Sequence, residues 1–220
     1  MFAEILISHE IFPLKKTDTC ETASVFMHNW NVSHLPVVEN GKVLGYVSLD
    51  EIFSAKKSDK MSLFIKNDKQ FTSLGYQHLF EVIKIFDETG LTTISVLNNE
   101  NNFIGIISFK EILKSLFRDS SLSQDGGIIT LEMLSKDYSL AEISRIVEYN
   151  DIKIINVFIR SASQDENKIL VSLKLNQTEL KNVVASLERH GKLIRSIQLD
   201  QKTDEVSSFR YDWLIKYLNT

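Results

Sequence analysis

Two short segments of this sequence combine a hydroxyl and a carboxylate at the same spacing, Ser48–Glu51 and Ser108–Glu111. Each serine stands where an apolar run ends and a helical pattern begins. Its hydroxyl and the free backbone amides of the helix could therefore hold a phosphate. Serine followed three residues later by glutamate is also the pattern of a capping box, which needs no ligand. The residues alone favour capping in both segments.

Both segments belong to a unit that occurs twice, at residues 12–57 and 71–117. The offset between the copies is 59 residues at Val37 and 60 at Gly45, so the second copy has one additional residue in a turn. Two copies of one unit usually pack face to face and leave two related clefts, where small ligands bind. The matching segments are Ala23–Met27 and Val82–Phe86, Leu35–Val38 and Ile94–Leu97, and Gly45–Ile52 and Gly105–Ile112.

Apolar spacing and turn residues predict the same elements in each copy: a short strand, a helix, two strands joined by a turn, and a second helix. In the first copy Asp18 is the predicted N-cap of the helix, and Asn40-Gly41 predicts a hairpin turn. In the second copy Gly90 predicts the end of the helix. The apolar segment Phe2–Ile7 is expected to pack against the first copy.

The rest of the sequence predicts a second domain, which makes the whole chain α+β. The segment Asp119–Gly127 consists mainly of small and polar residues and ends in two glycines, so it is interpreted as a linker. Strand and helix patterns then follow in the order βαββαβ, a ferredoxin-like order. The predicted organisation is a first repeat at 1–60, a second repeat at 61–118, a linker at 119–127, a domain at 128–199 and a tail at 200–220 with a helix at Tyr211–Leu218.

The composition argues against several classes of protein. The net charge is −4 and no apolar run approaches about 18 residues, so neither a nucleic acid nor a membrane is an expected partner. Cys20 is the only cysteine, which excludes an internal disulfide and favours a cytoplasmic location. We expect Cys20 to begin a buried helix face. The histidines lack the spacing of metal ligands. No motif indicates a catalytic site or a helix-turn-helix DNA-binding domain.

The two copies resemble CBS domains, and together they resemble one CBS pair over roughly residues 1–118. The resemblance rests on the Leu-Pro-Val-Val strand and on Gly-h-h-Ser-x-x-Glu-h in both copies, where h is apolar. It implies a non-catalytic sensor that binds an adenosine-containing ligand such as AMP, ADP, ATP or S-adenosylmethionine. It implies no other cofactor and no metal.

This resemblance also implies a role for each candidate residue. The serine would hold phosphate, the glutamate would replace the usual aspartate at the ribose, the glycine would allow close approach, and the strand start would contact adenine. Lys110 could neutralise phosphate, or could be an ordinary solvated lysine; we match it with Leu49 of the first copy, which makes the second cleft the better candidate. The candidates are His34, Leu35, Gly45, Ser48 and Glu51, and Thr93, Ile94, Gly105, Ser108, Lys110 and Glu111.

Residues 127–199 resemble an ACT domain, through Leu140-Ala141-x-Ile143 and Asn150-x-Ile152-x-Ile154. The complete arrangement resembles bacterial proteins with a CBS pair followed by an ACT domain, including some labelled acetoin-utilisation proteins. ACT domains bind amino acids at a shared dimer edge. Here Asp137-Tyr138 replaces the Pro-Gly pair of that family, and Tyr138 would fill the ligand space. We therefore expect dimerisation or docking from this domain.

Two hypotheses follow. The first is a cytoplasmic homodimeric regulator in which an adenine nucleotide effector shifts the two halves or two subunits, and an unidentified protein partner responds. The alternative is a structural protein whose two modules only mediate assembly and bind no nucleotide. The sequence does not identify the effector or the protein partner. It also does not decide whether the protein is a dimer or a tetramer.

Overall fold

The computed structural model describes residues 1–65, 71–118, 124–162 and 165–199. The chain divides into two compact units, Met1–Arg118 and Asp119–Thr220, here called the N-terminal and C-terminal units. The helix predicted at Tyr211–Leu218 lies outside the described residues, as does part of the predicted linker.

The N-terminal unit has the predicted element order in both repeats. A single β-bridge between Leu14 and Val37 takes the place of the entry strand in the first repeat. The elements are α1 (Cys20–Trp30), β1 (His34–Glu39), β2 (Lys42–Ser48), α2 (Leu49–Phe53), β3 (Thr72–Leu74), α3 (Leu79–Thr89), β4 (Thr93–Leu97), β5 (Phe103–Ser108) and α4 (Phe109–Arg118).

The two hairpins of this unit are irregular at the same place. In the β1–β2 pair Val37 lies opposite Gly45, and the register shifts at the next residue of β1. In the β4–β5 pair Val96 lies opposite Gly105, and the same shift follows. A shared bulge of this kind is a built feature of the strand pair. It confirms that the two copies fold as one repeated unit.

Local turn residues explain most of the element ends. Asn40 and Gly41 have positive φ angles of 50° and 73°, as expected for a tight hairpin turn. Gly90 ends α3 with a left-handed φ of 65°, as predicted. Cys20 is buried at the start of α1, also as predicted, and burial raises the pKa of its thiol.

The predicted N-cap of α1 is wrong by one residue. Thr19 caps the helix, because its Oγ1 accepts a hydrogen bond from the Thr22 amide at 3.2 Å. The Asp18 carboxylate instead accepts from the Lys15 amide at 2.8 Å and closes the preceding turn. Both residue types cap helices well, so the sequence pattern alone does not choose between them.

The segment at the N-terminus packs on the second repeat, which corrects the expectation from the sequence. The Ala3 amide donates to the Gln77 carbonyl at 2.9 Å, and Ala3 and Leu6 lie in the apolar core with α3 and α4. Met61 has the equivalent role in the first repeat, where its amide donates to the Asp18 carbonyl at 2.9 Å. Each repeat is thus completed by the segment that precedes the other repeat.

The C-terminal unit has the element order βαββαβ. Its sheet has the strand order β7-β8-β6-β9, with every neighbouring pair antiparallel. Apolar residues of α5 and α6 pack on one face of this sheet and form its core. The elements are β6 (Gly127–Leu134), α5 (Leu140–Glu148), β7 (Ile154–Ala162), β8 (Asp165–Leu175), α6 (Lys181–Arg189) and β9 (Leu193–Leu199).

Leu6→Ala should destabilise the second repeat by about 2–4 kcal/mol, because Leu6 is 3% exposed in that core. Hydrogen exchange should show lost protection in α3. Ile5→Ala is the matched control and should change little, since Ile5 is 67% exposed. Lost protection confined to α1 would contradict the packing described here.

Candidate functional site

The first Ser-x-x-Glu segment is a complete capping box at the start of α2. The Glu51 amide donates to Ser48 Oγ at 3.3 Å, and the Ser48 amide donates to Glu51 Oε2 at 2.9 Å. The Glu51 carboxylate is therefore turned onto its own helix, in the arrangement that the sequence pattern favoured.

The second segment is capped by its serine, but its glutamate has a different orientation. The Glu111 amide donates to Ser108 Oγ at 3.3 Å, as in the first repeat. Its carboxylate extends along α4 to Lys114, with Oε1 and Nζ 2.9 Å apart. The side chain of Glu111 is 22% exposed and that of Lys114 is 40% exposed. An ion pair this accessible to water contributes little free energy, so a ligand could replace it.

The structure corrects the position matched with Lys110. Leu49 and Phe109 are the first residues of α2 and α4, so Lys110 corresponds to Asp50. Both side chains are exposed. The second turn thus has a cation where the first has an anion, which strengthens the electrostatic difference between the two candidate clefts.

The starts of β1 and β4 contact each other across the two repeats. Thr92 Oγ1 accepts hydrogen bonds from the amides of Ser33 and His34, at 2.8 and 3.0 Å. Thr93 Oγ1 donates to the His34 carbonyl at 2.7 Å. The predicted adenine-contacting backbone of His34 is therefore bonded to the second repeat. Leu35 and Ile94 are fully buried. Sequence reasoning missed Thr92, although its 59-residue offset from Ser33 was available.

Burial lowers the pKa of the half-buried His34 imidazole below its ordinary 6.5, and the charges of Asp50 and Glu51 partly oppose this shift. His34 is consequently neutral at pH 7. A neutral ring next to two carboxylates offers no positive charge to a phosphate.

The two candidate glycines lie at the hairpin bulges rather than at an open surface. A Cβ added to Gly105 would lie 2.3 Å from Cγ2 of Ile7, so the space beside this glycine is filled by the same chain. Gly45 is buried opposite Val37. The close approach that Gly105 permits is thus made by Ile7 of the same chain.

Tyr46 joins the repeats through a buried hydroxyl that sequence reasoning did not single out. The hydroxyl accepts from the Ser95 amide at 2.6 Å, lies 2.8 Å from Ser95 Oγ and donates to the Phe71 carbonyl at 2.7 Å. Burial raises the pKa of Tyr46 far above its usual range. The equivalent positions in the opposite repeats are Ile106 and Pro36, a side chain without a hydroxyl and a residue without an amide donor.

Tyr138 of the C-terminal unit is half-buried against the core of that unit, directly before α5. Its ring thus packs on the core of its own unit. Within the described residues no group of His, Cys, Asp or Glu could hold a metal ion. In that same part of the chain no helix is long and apolar enough to span a membrane.

The family comparison identifies the N-terminal unit. The CBS domain family model matches residues 3–58 and 75–118. This match and the repeated fold support a CBS-pair fold for that unit. Pairs of this family are generally regulatory rather than catalytic. The resemblance of the C-terminal unit to ACT domains stays a prediction.

Two curated relatives and one solved structure illustrate this similarity. Uncharacterized protein MJ0188 of Methanocaldococcus jannaschii is 23% identical over 149 residues, which cover 67% of this chain and 54% of that protein. Inosine-5'-monophosphate dehydrogenase of Thermoplasma acidophilum is 23% identical over 172 residues, which cover 78% and 34%. The chain therefore matches about half of one relative and a third of the other. The CBS domain pair/ACT domain protein TM0892 of Thermotoga maritima is 13% identical, covers 54% of this chain and 98% of its own, and has a TM-score of 0.48.

Tyr46→Phe should lower the free energy of unfolding by about 1–3 kcal/mol, because it leaves the Ser95 amide and the Phe71 carbonyl without their partner. Urea unfolding measures this cost, and Tyr76→Phe, at a residue 60% exposed, is the control. Adding Ser95→Pro should recover part of the loss, because the unpaired amide is then absent, as at Pro36. If Ser95→Pro only lowers the free energy of unfolding further, the role of Tyr46 as the partner of the Ser95 amide is contradicted.

Stability of the N-terminal unit should fall as pH falls below 6.5, because the unfolded chain binds a proton at His34 more readily than the folded chain does. An NMR titration should give His34 a pKa below 6.5, and Asp50→Asn should lower it further by removing a favourable charge. An unshifted or raised pKa would contradict the burial of this ring.

Proposed function

We propose that the N-terminal unit is a regulatory module that binds an adenosine-containing ligand at the turn from Ser108 to Glu111. The CBS family match supports a regulatory ligand-binding role for this unit. The observation that carries the choice of turn is the different orientation of the two glutamates. Glu51 is committed to its capping box, whereas Glu111 is held by an accessible lysine.

In this proposal each residue of the second turn has one task. Ser108 Oγ and the Lys110 amide bind a phosphate, and the Lys110 side chain contributes the neutralising charge. Glu111 exchanges its bond with Lys114 for the ribose hydroxyls. The backbone around Thr93 and Ile94 contacts the adenine edge. Phosphate favours AMP, ADP or ATP over S-adenosylmethionine, whose sulfonium is cationic.

The equivalent turn of the first repeat is a weaker ligand site. The Glu51 carboxylate is bound to the Ser48 amide, beside Gly45, His34 and Leu35, and the charges of Asp50 and Glu51 repel phosphate. We propose one ligand per N-terminal unit. We further propose that the protein is cytoplasmic, is not itself a catalyst, and transmits ligand binding to a protein partner.

A purely structural role is the second candidate function. The closed capping box at Ser48 and the packed ring of Tyr138 favour it, because both positions are filled by the protein itself. In that case the CBS pair and the C-terminal unit would serve only as assembly surfaces.

Calorimetry of the full chain with AMP, ATP and S-adenosylmethionine distinguishes the two functions. The proposal expects AMP or ATP to bind with one site per chain, and expects Glu111→Ala to weaken binding at least about tenfold by removing the ribose contacts.

Glu51→Ala is the matched control. It should leave binding unchanged but lower stability by about 1 kcal/mol through loss of the capping box. Absence of heat with all three ligands at high protein concentration would favour the structural role. Equal loss of binding in both variants would contradict the assignment to the second turn.

A further inference from the structure

The sheet of the C-terminal unit has a second face, here called the open face, opposite the one that packs on α5 and α6. The core residues of β6 and β8 alternate with those of the open face, because successive side chains of a strand point to opposite sides. Strand pairing arranges the open face in rows, of which two are Phe158, Ser172 and Thr130, and Arg160, Leu170 and Glu132. The hydroxyls of Thr130 and Ser172 lie 3.0 Å apart, as expected for neighbours in one row.

Apolar side chains of the open face extend from its edge strand to its centre. Phe158 on β7 is 63% exposed. Leu170 on β8 is the diagonal neighbour of Phe158 and is half-buried, and Ile128 and Leu134 on β6 are half-buried on the same face. Diagonal neighbours in a sheet lie within reach of an aromatic ring. Apolar side chains grouped in this way on a protein surface mark a contact site.

Cationic side chains border this apolar area. Lys168 Nζ lies 3.0 Å from Glu132 Oε1, and Arg195 pairs with the other oxygen of the same carboxylate. The Glu132 side chain is 7% exposed, whereas the side chains of Lys168 and Arg195 are 42% and 48% exposed. Arg160 is exposed in the same row as Glu132. Three cations around one buried carboxylate favour an occupant that supplies further carboxylates.

Residues 200–220 of the same chain combine carboxylates with large apolar side chains. Asp204 and Glu205 are adjacent in this segment. The helix that the sequence predicts at Tyr211–Leu218 has an apolar side made of Trp213, Leu214 and Tyr217. The segment therefore has the chemistry that the open face calls for.

The segment is also long enough to cross the sheet. It follows β9 directly, and β9 and β7 are the two edge strands, three strand spacings or about 15 Å apart. Trp213 comes 14 residues after Leu199, the last residue of β9, and an extended chain of that length spans up to about 50 Å. Residues near Trp213 can therefore reach Phe158 on β7 within the same unit.

We propose that residues 204–218 cover the open face of their own sheet. The apolar side of the predicted helix contacts Phe158 and Leu170, and the carboxylates of the segment lie near the cations that border the face. The open face of a second copy is a poorer occupant, because it carries the same cations and would be repelled. The contact forms within one chain and needs no nucleotide, so this proposal stands apart from the ligand proposal.

Tryptophan fluorescence of the full chain tests this contact, because Trp30→Phe leaves Trp213 as the single indole. A synthetic peptide of residues 200–220 provides the reference for an indole in water. Trp213 in the chain should emit at shorter wavelength than the peptide and should be quenched less by acrylamide. Phe158→Asp and Arg160→Glu should each raise the quenching constant toward that of the peptide, since one removes the apolar contact and the other removes the attractive charge.

Phe53→Asp is the matched control, at a phenylalanine of the N-terminal unit that is 86% exposed. Lys181→Glu, exposed on α6, controls for the change in net charge. Both controls should leave the quenching constant unchanged. If Trp30→Phe lowers the melting temperature, the difference in quenching between the wild type and Trp213→Phe gives the same quantity in a stable chain.

Three results would overturn the proposal. One is quenching equal to that of the peptide in the chain that carries no open-face substitution. Another is protection of the indole that both open-face variants leave intact, because the segment would then pack elsewhere. The third is protection that is lost on dilution, because a second copy would then supply the contact.

Discussion

The hydrogen-bonded contact between the starts of β1 and β4 is the constraint on which the N-terminal unit depends. Thr92 and Thr93 satisfy the backbone groups of Ser33 and His34, and a buried or half-buried backbone needs such partners. Because the contact joins equivalent strands, each hairpin begins at the same axis and ends in a serine that caps a helix. The two candidate ligand turns are consequences of this arrangement.

The two repeats have nearly the same fold but differ in a few polar and charged side chains. The Tyr46 hydroxyl accepts a hydrogen bond from the Ser95 amide. The equivalent residue of the first repeat is Pro36, which has no amide hydrogen, so only one of the two repeats can make this buried hydrogen bond. Glu51 closes its own turn, whereas the Glu111 carboxylate is paired with Lys114. We propose on this basis that the first turn serves stability and the second binds a ligand. The CBS family match sets the regulatory context for that division.

The sequence was sufficient for the repeats, the β1–β2 hairpin turn and the end of α3, because these depend on local periodicity and turn residues. It was insufficient where distant segments compete for one surface. Phe2–Ile7 is apolar in either location, and only tertiary packing assigns it to the second repeat. The capping pattern at Ser108 was visible, but the choice of Glu111 between its cap and Lys114 depends on a neighbouring charge. Tyr46 was unremarked because its partner lies 49 residues away.

Amide chemical shifts of the full chain during titration with AMP test the central claim most directly. The predicted result is a saturable change centred on residues 108–111 and 93–94, with residues 48–51 little affected. A response of equal size at both turns would contradict the division of roles between the repeats. A spectrum that AMP leaves unchanged would contradict ligand binding by this CBS pair.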